Sequence, residues 1–274
     1  MENRNIKLLA MDLDGTLTNS KKELSPGNHR ALDAARERGV VLALASGRPQ
    51  LGIRKLAEKL ELAQKGGFIL AYNGGEILDC GTGKIIFRHA IPMELVPKIC
   101  EAGRELGLHL INYDQTHIYC ERPDGTYVQR ESFCCGTEVL KADRLEDVIR
   151  EAPPKFIAAD EPELLQHVRP ILEERFGQWL DIGFSERYFM EITAKGVDKA
   201  LGLSRIADYL GITRDEIMAL GDGFNDISML KYAGCSVAMG NAFDEVKAVA
   251  KDVTAGNDED GVALAVEKYI LGNN

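Results

Sequence analysis

Four aspartates follow two apolar stretches of this sequence, and their spacing suits metal or phosphate chemistry. Asp12 and Asp14 follow IKLLAM in the motif DLDGT, and Asp222 and Asp226 follow IMAL in the motif GDGFND. Side chains at i and i+2 of a strand point to the same face. Two close carboxylates are unfavourable unless a cation or a substrate uses them. Each motif also has a simpler interpretation: DLDGT as a strand-to-turn junction, and Asp226 as an acid favoured in a first helical turn.

Both motifs come directly after predicted buried strands. The carboxyl ends of parallel strands meet at one edge of an open α/β sheet, where ligands bind. We therefore expect the four carboxylates to converge there. Carboxylate oxygens are the ligands that Mg²⁺ prefers. The two motifs together predict a magnesium site.

Two further groups could hold phosphate. Ser46 and Gly47 follow the second predicted strand, and a hydroxyl with a backbone N–H at a helix start can bind a phosphate oxygen. Ser46 could equally be a plain N-cap. Lys199 falls in a first helical turn, where a cation opposes the helix dipole, and this local conflict hints at a functional position. A solvated lysine is the alternative interpretation, and Lys195 is the rival candidate.

Motifs of other enzyme classes are missing from the sequence. It contains no GxxxxGK[ST] loop, no GxGxxG fingerprint and no GxSxG elbow. Its five histidines are scattered, which argues against a zinc site. Its six cysteines form no CxxC pair, which favours reduced thiols in a cytoplasmic protein.

The elements that must position these residues alternate between strand and helix at both ends of the chain. Apolar runs predict strands and amphipathic stretches predict helices. Alternating βα units imply a parallel sheet covered by helices. At the start we expect strands over 6–13, 40–45 and 68–72, with helices over 25–38 and 49–62. At the end we expect strands over 217–220, 236–238 and 253–254, with helices over 198–210, 225–232, 241–250 and 261–270.

The middle of the chain has a different pattern. Paired strands with two helices predict an α+β domain inserted into the α/β one. The fold class is thus α/β, a Rossmann-like core formed by 1–84 and 193–274 with an inserted domain over 85–192. We expect strands over 84–89, 108–113, 116–121, 155–160, 179–184 and 187–192, with the last two joined as a hairpin by Ser185-Glu186, and helices over 93–106 and 161–176.

These motifs, in this order and spacing, resemble those of the haloacid dehalogenase-like superfamily. YNGG, GVDKALGL, GDGFNDISML, AGCSVAMGNA and NDEDGVA are similar to the Cof-type phosphatases, which carry a large C2-type cap, and most of all to their bacterial sugar-phosphatase branch. The resemblance spans the whole chain. Family members often have Thr where this chain has Ser46, and both supply a hydroxyl.

The resemblance implies a role for each motif residue. Asp12 would be the nucleophile that forms an aspartyl-phosphate, and Asp14 the general acid and base. Asp12, the backbone carbonyl of Asp14, and Asp222 would bind Mg²⁺, with Asp226 supporting them. The phosphate oxygens would be held by the backbone N–H of Leu13 and by Ser46, Gly47, Lys199 and Asn225.

The resemblance therefore implies a magnesium-dependent phosphatase for small phosphate monoesters, most of all sugar phosphates. Its inserted domain would close over the site and select the leaving group. Candidate selecting residues are Arg187, Tyr188 and Glu191, which could also form an ordinary exposed strand face. Two alternatives stay open: transfer of the phosphoryl group to another sugar hydroxyl, and binding of phosphosugars without turnover.

The composition narrows the partners. A formal net charge of -10 argues against general affinity for nucleic acid or an anionic membrane. No apolar run is long enough for a membrane span, and the start MENRN gives no sign of a signal peptide. We expect a cytoplasmic protein, a monomer or a weak homo-oligomer, whose partner is a small phosphorylated molecule.

Overall fold

The structure is a computed structural model that describes residues 5–114 and 116–272. Residues 1–4, where no signal peptide is expected, lie outside the described residues. The chain divides into two compact units. Among the described residues, the first consists of 5–47, 53–87 and 198–272, and the second of 48–52, 88–114 and 116–197.

The strands are short. In chain order they are β1 (Leu8–Met11), β2 (Val41–Ala45), β3 (Phe68–Ala71), β4 (Glu76–Asp79), β5 (Lys84–Arg88), β6 (Leu110–Tyr113), β7 (Ile118–Cys120), β8 (Val139–Lys141), β9 (Lys155–Ala159), β10 (Leu180–Glu186), β11 (Phe189–Ala194), β12 (Ile217–Gly221), β13 (Cys235–Ala238) and β14 (Asp252–Val253).

The α-helices connect most of these strands. They are α1 (Pro26–Glu37), α2 (Gln50–Lys59), α3 (Leu62–Lys65), α4 (Val96–Glu105), α5 (Thr126–Cys135), α6 (Pro162–Phe176), α7 (Lys199–Leu210), α8 (Ile227–Tyr232), α9 (Asp244–Lys247) and α10 (Gly261–Val266). None of the helices in the described part of the chain combines the length and the apolar character that a membrane crossing needs.

The first sheet has the order β14-β13-β12-β1-β2-β3-β4-β5. Strands β14 to β3 run parallel, and β4 turns back antiparallel on β3. Strands β1 and β12 lie side by side at its centre and are fully buried, which accounts for their continuous apolar sequences. Their carboxyl ends therefore bring DLDGT next to GDGFND.

The second sheet has the order β10-β11-β9-β6-β7-β8 and is antiparallel except for the pair β7–β8. Its core packs one face of the sheet against α4 and α6, with Phe156 and Met190 fully buried. This is the α+β arrangement that the alternating strand pattern predicts.

Several sequence-based elements differ from the structure. The predicted strand over 84–89 was placed with the middle region, but β5 lies at the edge of the first sheet. The hairpin turn predicted at Ser185-Glu186 is wrong, because β10 runs to Glu186 and Arg187-Tyr188 makes the connection. A register shift between Phe184 and Glu186 accounts for the difference, since a bulge adds a residue to one strand.

The predicted helix over 241–250 shortens to α9. Asn241 is held in a loop instead, because its side chain donates to the Gly15 carbonyl and accepts from the Asn257 N–H. Strands β4 and β8 and helix α5 were missed. Helix α5 buries only Val128 and the acid Glu131, so it gives no apolar stripe. Strand β4 begins and ends with buried acids, which β propensity disfavours.

Candidate active site

Asp12 is the first residue after β1, at the centre of the first sheet. Its N–H donates to the carbonyl of Leu220 at 3.0 Å, which continues the pairing with β12 and fixes the backbone. Its side chain is buried. The chain then leaves the sheet sharply at Gly15, whose φ is +82°. A β-carbon on Gly15 would lie 2.3 Å from Asp222 Oδ2, so only glycine lets the two loops approach this closely.

Asp222 and Asp226 follow β12 on the neighbouring loop. Thr16 donates its hydroxyl to Asp222 Oδ1 at 2.7 Å, which ties the two loops together. Asp226 is fully buried, and its Oδ2 accepts the N–H groups of Asp222 and Gly223, both at 2.9 Å. Asp226 therefore shapes the loop that presents Asp222.

Lys199 supplies the cation of this group. Its Nζ lies 2.5 Å from Asp12 Oδ1 and 2.6 Å from Asp226 Oδ1, and its side chain is inaccessible to solvent. The side chain of Asp198 caps α7 by accepting from the Leu201 N–H, so Lys199 begins the helix. Gly74 permits this placement, because a β-carbon there would lie 2.3 Å from the Asp198 carbonyl.

The rival lysine lies elsewhere. Lys195 Nζ donates to the carbonyl of Gly177 at 2.5 Å, within the second unit. Of the two candidate lysines, only Lys199 contacts the aspartates of the predicted site.

Burial without enough positive charge raises the pKa values of the acids. Burial raises the pKa of Asp12 to about 8, with Lys199 opposing this and Asp226 adding to it. Burial likewise raises the pKa of Asp222 to about 6, against the hydrogen bond from Thr16. Burial alone lowers the pKa of Lys199, but Asp12 and Asp226 outweigh it and the net shift is upward. The cluster is short of positive charge.

This arrangement fits a hard divalent cation. Asp12, Asp222 and Asp226 each offer an oxygen within 4.8 Å of the others. Carboxylate oxygens are the donors that Mg²⁺ prefers, and a cation would offset the charge that Lys199 leaves uncompensated. Both oxygens of Asp226 already accept hydrogen bonds. Asp12 and Asp222 are therefore better placed as ligands than Asp226.

The predicted phosphate-binding residues surround the same sheet edge. Ser46 follows β2 and is buried, and its carbonyl accepts the Asn73 N–H at 2.9 Å. Asn225 donates its side-chain amide to Asn73 Oδ1 at 3.1 Å. A β-carbon on Gly47 would lie 3.1 Å from the Asn73 amide nitrogen. Leu13 is buried directly after Asp12. Asn73 thus links the loops that carry Ser46, Gly47 and Asn225.

Asp14 has a different environment from Asp12. Its side chain is 35% exposed, and Lys22 Nζ lies 2.7 Å from its Oδ1. Its carboxylate is not part of the buried acidic cluster. Its predicted share in metal binding therefore rests on its backbone carbonyl alone.

Three residues that contact the predicted site residues were given no role from the sequence: Thr16, Lys22 and Asn73. Thr16 belongs to DLDGT and Asn73 to YNGG, so their motifs were signals that residue-by-residue reasoning left unused. Asn73 has a φ of +54°, a conformation that Asn tolerates better than most residues, which marks a specialised turn. Nothing in the sequence distinguishes Lys22 from its neighbour Lys21.

The residues that we consider as candidates for selecting the leaving group all belong to the second unit. Tyr188 stacks on Tyr127 at 4.9 Å between ring centroids, and the Arg130 guanidinium lies 4.6 Å from the Tyr188 ring. Arg187 is exposed beside it. Glu191 instead pairs with the buried Lys155 at 2.7 Å. Glu191 is therefore engaged in an ion pair rather than on an open strand face.

Comparison with known proteins identifies the family. The chain matches the haloacid dehalogenase-like hydrolase family over residues 9–266. It is 32% identical to YcsE of Bacillus subtilis (strain 168), a 5-amino-6-(5-phospho-D-ribitylamino)uracil phosphatase, with 98% of each chain covered.

Solved structures agree with this assignment. A haloacid dehalogenase-like hydrolase from Bacteroides thetaiotaomicron gives a TM-score of 0.93 at 42% identity, covering 96% of this chain and 99% of the other. The HAD subclass IIB sugar phosphatase BT4131 gives a TM-score of 0.80 at 29% identity, covering 96% and 98%. The predicted fold class and family are both confirmed, and the chain belongs to the haloacid dehalogenase-like hydrolase family, as a relative of the phosphatase YcsE.

Proposed function

We propose that this protein is a magnesium-dependent phosphatase that hydrolyses small phosphate monoesters through an aspartyl-phosphate on Asp12. One observation carries the proposal: three carboxylates have oxygens within 4.8 Å of one another, and two of them, Asp12 and Asp226, contact the buried ammonium of Lys199. Such a cluster is unfavourable in a protein interior unless a cation joins it. A site that takes a cation beside a carboxylate nucleophile suits phosphoryl transfer.

Asp12 and Asp14 divide the chemistry. A carboxylate oxygen of Asp12 attacks phosphorus, the bond from phosphorus to the leaving oxygen breaks, and Asp14 donates a proton to that oxygen. Water then attacks the phosphorus of the aspartyl-phosphate while Asp14 takes a proton from it. Phosphate leaves and the Asp12 carboxylate is restored.

The environments of the two acids support this division. Asp12 is buried and fixed by Lys199, which suits a nucleophile that must stay in line with phosphorus. Asp14 is partly exposed and can exchange protons with solvent. Bound Mg²⁺, held by Asp12, Asp222 and the backbone carbonyl of Asp14, would lower the repulsion between the anionic nucleophile and the anionic phosphate.

The phosphate group would be held by the loops that follow β1, β2 and β12 and by the start of α7. The Leu13 N–H, the Ser46 hydroxyl, the Gly47 N–H and the Asn225 amide would donate to its oxygens, where charge builds up. Lys199 would add a positive charge beside Asp12. Asn73 would keep the donors in register through its contacts with two of these loops.

We further propose phosphorylated sugars and sugar alcohols as the substrate class. The relative YcsE is named for a substrate phosphorylated on a ribityl chain, and BT4131 is described as a sugar phosphatase. Both names indicate a phosphate ester on a polyhydroxylated carbon chain. The second unit would act as the cap that selects the leaving group, with Tyr188 and Arg187 as candidates.

Release of inorganic phosphate from p-nitrophenyl phosphate, measured with and without Mg²⁺, tests the proposal. We expect turnover that requires Mg²⁺ and is lost in Asp12→Asn, with a panel of sugar phosphates giving higher kcat/KM than the aryl ester. Asp208→Asn is the matched control, because Asp208 lies on the helix that Lys199 begins but is 72% exposed.

Two outcomes would contradict the proposal. Full activity in Asp12→Asn would exclude Asp12 as the nucleophile. Formation of an isomeric sugar phosphate without free phosphate would indicate phosphotransfer instead of hydrolysis.

A further inference from the structure

The segment of residues 14–25, which we call the Asp14 loop, is held at four of its residues by Asn241 and by residues 257–260 of the first unit. Asn241 donates to the Gly15 carbonyl at 2.8 Å, and Asn257 donates to the Thr18 carbonyl at 2.9 Å. The Ser20 N–H donates to Asp258 Oδ1 at 2.8 Å, and the Ser25 hydroxyl donates to Asp260. The motifs MGNA (residues 239–242) and NDEDG (residues 257–261) therefore stabilise this loop. They hold the tip of the loop in a defined place relative to Asp14.

At the tip, Lys22 adopts a backbone conformation that lysine disfavours. Its φ is +62°, in the left-handed region. The turn is closed by the Lys22 N–H donating to the Asn19 carbonyl and by Asn19 Oδ1 accepting from the Lys21 and Glu23 N–H groups. Glycine or asparagine suits this position better than a long side chain. Backbone geometry therefore does not explain a lysine at this position.

Stability does not explain it either. Lys22 Nζ lies 2.7 Å from Asp14 Oδ1, but the two side chains are 62% and 35% exposed. Ion pairs this exposed contribute little to the free energy of unfolding. Residues held in unfavourable conformations often serve function. The contact of Lys22 is with Asp14, the proposed proton donor.

We propose that Lys22 is a positioning residue that holds the Asp14 carboxyl group in the orientation needed for proton transfer to the leaving oxygen. The proposal rests on the function proposed above. The Asp14 loop fixes the lysine backbone, and the ammonium fixes Oδ1 of Asp14. A proton donor transfers efficiently only when it is held within hydrogen-bond distance of the accepting oxygen. Loss of Lys22 should therefore slow the formation of the aspartyl-phosphate only when the leaving group needs a proton.

Two generic substrates separate this role from a structural one. p-Nitrophenolate is a stable leaving group that needs no proton, whereas phenolate is far more basic and leaves readily only when protonated. In Lys22→Gly, we expect kcat/KM, which reports the step that forms the aspartyl-phosphate, to fall about tenfold for phenyl phosphate and less than about twofold for p-nitrophenyl phosphate.

Glycine also relieves the left-handed strain, so the melting temperature of Lys22→Gly should equal or exceed that of the wild type. Lys22→Arg keeps the cation and should restore most of the phenyl phosphate activity. Lys21→Ala is the matched control, because Lys21 is the adjacent exposed lysine and only its backbone N–H contributes to the turn.

The outcomes are distinct. Equal losses of kcat/KM on both esters, no loss on either, or a gain on phenyl phosphate would overturn the positioning role. If wild-type protein hydrolyses neither ester with Mg²⁺, the proposed function fails and this inference fails with it. Wild-type turnover without a leaving-group difference in Lys22→Gly overturns this inference alone.

Discussion

Each unit of this protein buries a lysine, and the two lysines meet different surroundings. In the second unit, Lys155 pairs with Glu191 at 2.7 Å, and both side chains are nearly inaccessible. In the first unit, Lys199 contacts Asp12 and Asp226, with Asp222 close enough to share an ion with them. Among the residues that the structure describes, this is the group of carboxylates that could hold a metal.

The difference lies in the carboxylates that surround Lys199. Lys155 and Glu191 form an ion pair between a cation and an anion, as structural ion pairs do. The cluster around Lys199 has more carboxylates than its single cation can neutralise. Folding alone gives no reason for such an excess, since buried charge without a partner is costly. The excess is explained if the cluster binds a cation, so charge balance separates the functional site from the structural pair.

The partly buried acids of the two units also shift in opposite directions. In the second unit, hydrogen bonds from Arg104 and Arg144 lower the pKa of Glu146 to about 2, against the effect of burial. In the first unit, burial raises the pKa of Asp222 to about 6. Glu146 thus has counter-charges that outweigh its burial, whereas the charge of Lys199 does not offset the burial of Asp222.

Neutralising one acid in each unit should give the largest contrast. Asp12→Asn should lower kcat at least about 10⁴-fold, because it removes the nucleophile. Its melting temperature without metal should stay the same or rise, since the buried excess of negative charge falls. Glu191→Gln should destabilise by about 2 kcal/mol, because the buried Lys155 then loses its ion pair with Glu191. Thermal unfolding in metal-free buffer and p-nitrophenyl phosphate kinetics measure both effects.

The sign of the stability change decides this comparison. If both variants are destabilised to the same extent, the two buried lysines are equivalent structural pairs. The idea of a charge excess in the first unit would then be wrong.

A smaller effect than that of Asp12→Asn is expected when the affinity of the same cluster for Mg²⁺ is weakened. Thr16 donates to Asp222 Oδ1 and thereby orients a proposed Mg²⁺ ligand. Removing the partner that orients a ligand typically weakens metal binding about 10- to 100-fold. Thr16→Val should therefore raise the Mg²⁺ concentration for half-maximal activity by that factor, while kcat at saturating Mg²⁺ stays near the wild-type value. Thr16→Ser keeps the hydroxyl and serves as the control; an unchanged Mg²⁺ requirement in Thr16→Val would count against Asp222 as a ligand.

The sequence predicted the sheet that builds this site better than it predicted the second unit. Strands β1, β2 and β12 are buried on both sides, so their apolar runs mark them clearly. Helix α5 escaped because it buries an acid, Glu131, which accepts the Tyr113 hydroxyl at 2.7 Å. That partner lies on strand β6, so no local pattern reveals it.

Within the site, motif spacing indicated the aspartates, but the contacts between loops could not be read from it. That Thr16 reaches Asp222, 206 positions later, depends on the pairing of β1 with β12. That Lys22 reaches Asp14 depends on a left-handed turn that nothing in its residue type announces. Local sequence thus indicates which residues carry charge, and only the tertiary structure shows which charges are balanced.

The stabilisation of the folded protein by Mg²⁺ should depend on pH, and this dependence tests the excess of negative charge in the cluster. The folded pKa values of Asp12 and Asp222 lie near 8 and 6, above their usual 3.8. Without metal, these groups favour the folded state at low pH, and that contribution is lost as pH rises through about 6 to about 8. Mg²⁺ competes with the protons, so its binding should strengthen over the same range.

Differential scanning calorimetry with and without Mg²⁺ measures this effect. At a Mg²⁺ concentration about a hundredfold above its dissociation constant, the stabilisation is about 3 kcal/mol. The rise in melting temperature on adding Mg²⁺ should be larger at about pH 8 than at about pH 5. Glu191→Gln should show the same dependence as the wild type, because Glu191 belongs to the other unit. An Mg²⁺ effect that is independent of pH would show that the metal does not displace protons from these acids.

The smallest effect is expected where the charges balance. Replacing both members of a buried ion pair by apolar residues of similar size is often nearly neutral, whereas removing one member is strongly destabilising. Lys155→Met should therefore destabilise by about 3 to 5 kcal/mol, while the double variant with Glu191→Met should lie within about 1 kcal/mol of the wild type. Denaturant unfolding of the wild type, the two single variants and the double variant gives the coupling free energy between Lys155 and Glu191. A double variant as unstable as Lys155→Met would mean that Lys155 stabilises the fold through contacts other than its ion pair with Glu191. The two buried lysines would then differ only in the number of carboxylates that each one contacts.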